Sequence, residues 1–220
     1  MNQTIDPIWE KIHSTQAWGK YPSEPLIRFV ARNYYGKERD KVRILDFGCG
    51  QGAATWYLAR EGFDTYAFDG SESAVRKAEE RLCEEGLSAS FMVSDASTID
   101  YEGEFFDAII DNACIYANHI EDIHRMYQNV YRMLKKGGRL FSVCFGEELF
   151  GYDSGIEIEK GTYKDIQNGV LRDRGISHIF SEEELVKVLS DSGFSDIHVD
   201  WHRYTDQGNM VHLLIAIAKK

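Results

Sequence analysis

The sequence predicts an α/β domain whose mostly parallel sheet carries helices on both faces, and three observations lead there. Between residues 42 and 145, short apolar runs alternate with segments of helical periodicity. The first run ends in a glycine-rich turn, Asp46-Phe47-Gly48-Cys49-Gly50-Gln51-Gly52, that opens directly into a helix. The chain closes with two strand-like segments joined by a short polar connection, the signature of an antiparallel hairpin. At 220 residues with 43% hydrophobic content, the chain can bury one sizeable core and not two full α/β domains.

In chain order, residues 1–22 read as an irregular arm rich in large aromatics (Trp9, Trp18, Tyr21), with Pro7 and Pro22 opposing a continuous helix. Ser23-Glu24-Pro25 then supplies a helix start, since serine caps and proline is tolerated in the first turn. Leu26, Ile27, Val30 and Tyr34 recur at helical spacing, and Gly36 closes the helix. After the polar linker 37–41 comes a buried strand at 42–47. A helix at 53–61, a strand at 65–68 and a helix at 72–85 stopped by Gly86 follow. Strands at 90–93 and 105–111, a helix at 121–135 ending at Gly137-Gly138, and a strand at 139–145 complete the alternation.

Residues 146–175 break the pattern. They hold Phe150, Tyr152 and Tyr163 among several glycines with no sustained period, so they form either a lid or a loosely ordered loop. Ser181-Glu182-Glu183-Glu184 is a capping box opening a helix to about residue 192, with Gly193 as its stop. The final strands are 195–204 and 210–218. The organisation expected is an arm and helix at 1–41 covering the site, then a core at 42–220 in which 146–178 is a lid or variable insertion.

Composition narrows function. Twenty-five Lys and Arg against 36 Asp and Glu give a net charge of −11, which repels phosphate backbones and argues against a nucleic-acid partner. The densest basic stretch (Arg132, Lys135, Lys136, Arg139) sits at a helix end, where cations meet the negative pole of the helix dipole. Cys49, Cys83, Cys114 and Cys144 show neither disulfide-framework nor metal-ligand spacing, so no metal is expected. The opening residues 1–7 lack a signal-peptide pattern and no apolar run approaches a membrane span, so a cytoplasmic protein without membrane association is expected. Oligomeric state is not legible.

Chemistry concentrates at the strand ends. In the glycine turn, close backbone approach and free N–H groups at the helix start suit an anionic ligand group, although tight strand-to-helix packing alone would also use glycine. Asp69 ends the second strand about twenty residues later, where a carboxylate can take both ribose hydroxyls; capping of the next helix is the other use. Asp95, in Ser94-Asp95-Ala96 after the third strand, can accept from the exocyclic amine of a purine.

These pieces resemble the class I S-adenosylmethionine-dependent methyltransferase family, of the small-molecule type. The residues that carry the resemblance are Ile44 through Gly52, Phe68-Asp69-Gly70-Ser71, Ser94-Asp95-Ala96, Phe106-Asp107-Ala108-Ile109-Ile110-Asp111 and Leu134-Lys135-Lys136-Gly137-Gly138-Arg139-Leu140. It implies a Rossmann-like three-layer sandwich with a seven-stranded, mostly parallel sheet whose last strand is antiparallel. It also implies S-adenosylmethionine as cofactor, held by Asp46, Gly48, Cys49, Gly50, Gly52, Asp69, Gly70, Ser71, Asp95, Ala96 and Asn112. Gly48 to Gly52 would face the methionine portion, Asp69 the ribose, Asp95 with Ala96 the adenine, and Asn112 the sulfonium.

After the fourth strand the chain reads Asp111-Asn112-Ala113-Cys114-Ile115-Tyr116, not the proline-rich tetrapeptide of enzymes that methylate amino groups of nucleobases or glutamine. Cys114 lacks a preceding proline and a nearby basic partner, so it reads as a buried thiol and not a nucleophile. Displacement at a sulfonium methyl needs alignment and dryness before it needs an acid or base. For a hydroxyl acceptor, His178, just before the capping box, is the first candidate base, ahead of His119 and His124. Trp18 and Tyr21 are taken as ligand contacts and Trp9 as packing. The expected partner is a small-molecule methyl acceptor, with RNA or protein acceptors, or a cofactor-binding subunit without turnover, as alternatives. A nicotinamide-dependent oxidoreductase ranks last, because Gly52 is followed by Ala53-Ala54 and the G-x-G-x-x-G spacing is absent.

Overall fold

A computed structural model describes residues 5–220; the first four residues of the arm lie outside it. The helices are α1 (Pro7–Thr15), α2 (Glu24–Tyr34), α3 (Ala53–Arg60), α4 (Glu72–Glu84), α5 (Ile120–Met133) and α6 (Glu182–Asp191). The strands are β1 (Arg43–Phe47), β2 (Asp64–Asp69), β3 (Ser90–Val93), β4 (Phe106–Asn112), β5 (Leu134–Gly146), β6 (Ile156–Glu159), β7 (Thr162–Lys164), β8 (Ser177–Phe180), β9 (Ser195–Asp206) and β10 (Asn209–Lys219).

Strands β3-β2-β1-β4-β5 lie side by side and parallel. β10 runs antiparallel along β5, from Leu213 opposite Phe145 to Lys219 opposite Arg139, and β9 pairs antiparallel with β10. These seven strands are the expected α/β sheet, the last one antiparallel. Neighbouring residues of β1 point to opposite faces, as a pleated strand requires. Ile44 packs with Leu26, Phe29 and Val30 of α2 and Leu58 of α3, while Leu45 and Phe47 pack with the α5 and α6 side. Each such fully buried aliphatic or aromatic side chain contributes about 1.5–3 kcal/mol.

Three differences from the sequence expectation have local causes. The arm is not irregular throughout: Pro7 starts α1 instead of preventing a helix, because Asp6 caps it by accepting from the Ile8 amide at 2.9 Å and proline suits the first helical position. Ser23 sits at the start of α2 but its hydroxyl makes no capping bond. α5 ends at Met133 and not at residue 135, since Leu134 is already extended and begins β5.

Of the two forms expected for 146–178, a lid or a loose loop, the segment is ordered and carries paired strands. At the carboxyl end of β5, Phe145 and Gly146 pair in parallel with Ile179 and Phe180 of β8, and β7 and β6 continue antiparallel from there. Among the described residues the sheet therefore has ten strands, the extra three joining β5 on the edge it shares with β4, just past the end of the β4 pairing at Asn112 and Val143. Among the described residues, no helix is long and apolar enough to cross a membrane.

Candidate active site

The carboxyl ends of β1, β2 and β4 surround a cavity of about 280 Å³, roofed by α1 and the residues after it. The glycine turn forms its floor. Gly48 has φ +71°, and a Cβ there would stand 2.2 Å from Cys114 Sγ, so only glycine lets the turn pass beneath the β4 loop. Gly52, at φ +79°, faces the other way: a Cβ would meet that of Ala78 on α4 at 2.8 Å. Its role is to let α3 and α4 approach, and it does not line the cavity as the family pattern implies.

The carboxylates lock this floor. Asp46 is buried and accepts from both the Thr55 amide (2.9 Å) and hydroxyl (2.6 Å); burial pushes its carboxyl up to about 6. Asp69 accepts from the Gly50 amide through Oδ2 (2.8 Å) and from the Ser71 amide through Oδ1 (2.9 Å). Burial raises its pKa, and each oxygen keeps a further lone pair for a hydroxyl donor. In the first turn of α3, the Ala53 and Ala54 amides line the cavity, and neither has an acceptor among the described residues.

Of the other expected contacts, Cys49, Gly50, Gly70, Ala96, Asn112 and Trp18 line the cavity. Ser71 does not. Its hydroxyl caps α4 by accepting from the Ala74 amide and donates to Glu10 at 2.5 Å. Asp95 also lies off the lining and accepts from the Ile5 amide (3.0 Å) and from Ser97. Tyr21 is 72% exposed and lies away from the cavity, because its ring packs edge-on against Trp56 and under Arg81. Burial raises the Cys49 and Cys114 thiols well above their ordinary range, the neighbouring carboxylates adding to it, so neither is a thiolate nucleophile.

His178 is placed differently from its expected catalytic position. It is 0% exposed, its ring bonded to Thr162 at 2.7 Å and lying 3.3 Å from Glu184, one layer behind Tyr116, whose carbonyl its amide meets. It ties β7, β8 and α6 together and does not reach the cavity. His119 starts α5 beside Glu159, and His124 lies on that helix.

Residues missed in sequence come mostly from the roof. Trp9, expected to be packing only, lines the cavity with His13, and their rings stack 6.1 Å apart. Burial lowers the pKa of His13 despite the nearby Asp69, which favours a neutral imidazole. Glu10 clamps the helix to the start of α4 through Ser71, the Ser73 hydroxyl (2.6 Å) and the Ser73 amide (3.2 Å). Lys77 holds its other end by donating to the His13 carbonyl, and Gln51 bonds the Gln16 carbonyl (2.9 Å) and the Trp18 amide (3.0 Å). The signal was present: Asp6-Pro7 is a cap followed by a first-position proline, and in a helix the four-residue interval from Trp9 to His13 puts both on one face. Tyr116, Asn118 and Arg174 complete the wall. No group of His, Cys, Asp or Glu among the described residues could hold a metal ion.

Residues 44–138 match the model of a methyltransferase domain. The chain is 30% identical over 158 residues to phosphoethanolamine N-methyltransferase 3 of Arabidopsis thaliana, a match covering 67% of this chain and 32% of that protein, about a third of its length. It is 25% identical over 187 residues to the ubiquinone biosynthesis O-methyltransferase of Bartonella tribocorum, covering 80% of this chain and 73% of that protein. Among solved structures, an S-adenosylmethionine-dependent methyltransferase from Methanosarcina mazei superposes with a TM-score of 0.71 at 29% identity, over 87% of this chain and 96% of the other. The 1,6-didemethyltoxoflavin N1-methyltransferase of Burkholderia thailandensis shares the fold, with a TM-score of 0.68 at 22% identity over 90% and 77% of the two chains.

Proposed function

This chain belongs to the class I S-adenosylmethionine-dependent methyltransferases, and from that premise we propose that it methylates a small molecule held in the cavity beneath α1. The observation that carries the proposal is the roof: α1 is clamped at both ends over the glycine turn and covers the cavity, which favours a small acceptor over a folded RNA or protein. The net charge of −11 works in the same direction against a nucleic-acid acceptor.

The residues present fit the cofactor. The unbonded Ala53 and Ala54 amides at the positive end of α3 suit an amino-acid carboxylate, and the spare lone pairs of Asp69 suit ribose hydroxyls. Asn112, at the end of β4, and Ala96, after β3, both line the cavity, which supports roles for Asn112 near the reacting centre and Ala96 beside the base. When bound, S-adenosylmethionine supplies an electrophilic methyl group on a sulfonium. Trp9, Trp18, Tyr116 and Phe145 exclude water and hold the acceptor, the main requirements for in-line displacement. His13 takes the place given to His178 as the imidazole nearest the chemistry: being neutral, it can accept a hydrogen bond or a proton at the cavity wall.

Relatives that carry the names of N- and O-methyltransferases leave both an amine and a hydroxyl as accepting groups. The test is incubation of the purified protein with methyl-labelled S-adenosylmethionine and a cell metabolite extract, with labelled products identified by mass. A labelled small molecule is expected; label confined to RNA or protein would overturn the acceptor class.

A further inference from the structure

Of the described residues lining the cavity, Arg174 alone is a lysine or arginine. The aspartates that line the cavity have structural partners of their own: Asp6 caps α1, Asp46 holds Thr55, and Asp69 holds the glycine turn. The Arg174 guanidinium has no hydrogen bond or ion pair among the described residues; it lies over the Trp18 ring, 4.9 Å from the centroid. The guanidinium's hydrogen-bond donors are therefore unpaired among the described residues, and a fork of donors beside an aromatic ring suits a carboxylate or phosphate.

Arg174 also borders a second, polar cleft of about 430 Å³, whose walls include Gln167, Asn168 and Asn209. Arg174 is therefore shared by the cavity and this cleft. In the binding mode proposed above, the cofactor's own carboxylate would sit at the amides of Ala53 and Ala54, which leaves this arginine for another anion.

We propose that Arg174 receives an anionic group, a carboxylate or a phosphate, of the methyl acceptor, so that the acceptor is an acid entering with its charged end toward the polar cleft. The inference rests on the methyl-transfer reading of the same cavity. Trp9 and Tyr116 make aromatic or otherwise flat apolar acids the class that fits best.

Two measurements test it separately from that reading. In calorimetric titrations of protein saturated with S-adenosylhomocysteine, 4-hydroxybenzoate is compared with 4-hydroxybenzamide, and phenyl phosphate with phenol. The anionic member of each pair should bind at least tenfold tighter, and Arg174→Gln should abolish the difference while changing S-adenosylhomocysteine affinity less than about twofold. Equal binding within both pairs, or a tenfold loss of S-adenosylhomocysteine affinity in Arg174→Gln with the pairs still discriminated, would overturn the assignment. In the second, methyl-labelled products of a metabolite extract are separated by anion exchange. Label in the retained acidic fraction supports the proposal, and label only in neutral or cationic fractions refutes it. No label in any fraction counts against the methyl-transfer reading, and the titrations still decide the anion site.

Discussion

The Gly50 amide donates to Asp69 Oδ2 at 2.8 Å, so the glycine turn and the acidic end of β2 are one unit before any nucleoside arrives. The carboxylate both shapes the turn and presents its remaining lone pairs to the cavity.

Asp69→Ala should therefore raise the dissociation constant for S-adenosylhomocysteine about 10- to 100-fold, the scale of hydrogen bonds to a charged group. In the unsubstituted protein, ligand at a hundred times its dissociation constant should add about 2.7 kcal/mol of stability. Thermal unfolding with and without ligand checks both, with NAD as the control that should produce no shift.

Glu10 is the clamp of the roof. Its hydrogen bonds to Ser71 and Ser73 hold its carboxyl below the ordinary range, so its contribution is present above a pH of about 4.5 and is lost as pH falls through the lower folded-state value. Glu10→Ala should accelerate S-adenosylhomocysteine dissociation roughly tenfold while leaving the core intact. Stopped-flow fluorescence of Trp9 and Trp18 gives the rate, and an unchanged off-rate would show that α1 does not gate the cavity.

Gly48→Ala should cost more than about 3 kcal/mol, because the new Cβ meets Cys114 Sγ and the left-handed conformation alone costs roughly 1–2 kcal/mol. Combining it with Cys114→Gly should recover part of that loss, leaving about the conformational share. Urea unfolding of the double-mutant cycle measures it; strict additivity would mean that the clash is relieved elsewhere.

Asp111 is fully buried, accepting from the Cys114 and Ile115 amides and from Ser142, and burial pushes its carboxyl up to about 6. A raised folded-state value stabilises below the unfolded pKa, here the ordinary 3.8, and the benefit is lost as pH rises through about 6. Moving from pH 5 to pH 8 should thus remove on the order of 1 kcal/mol that Asp111→Asn does not lose. Equal pH slopes for the two proteins in chemical denaturation would contradict the assignment.

His178→Ala should destabilise the fold by about 2–3 kcal/mol through its lost bonds to Thr162 and Glu184. It should leave the pH dependence of methyl transfer unchanged, which a catalytic base could not do.

The parallel alternation, the glycine turn and the carboxylates at the strand tips were legible because each depends on local periodicity and on residues fixed within a few positions of a strand end. Asp69 reaches the cavity from β2 for that reason, and Asn112, which the family resemblance indicated, reaches it from β4. The roof and the far wall were not legible. Whether Pro7 breaks or starts a helix depends on the Asp6 cap, and whether Tyr21 or Trp9 faces ligand depends on how α1 docks on α4. His178 and Arg174 lie four residues apart in the same stretch, yet one is sealed behind Tyr116 and the other opens onto the cavity. Sequence by itself determined what forms through neighbours along the chain. Only tertiary structure decided which side chains meet across it, because burial and pairing at these positions arise from contacts between segments tens of residues apart, which no local pattern encodes.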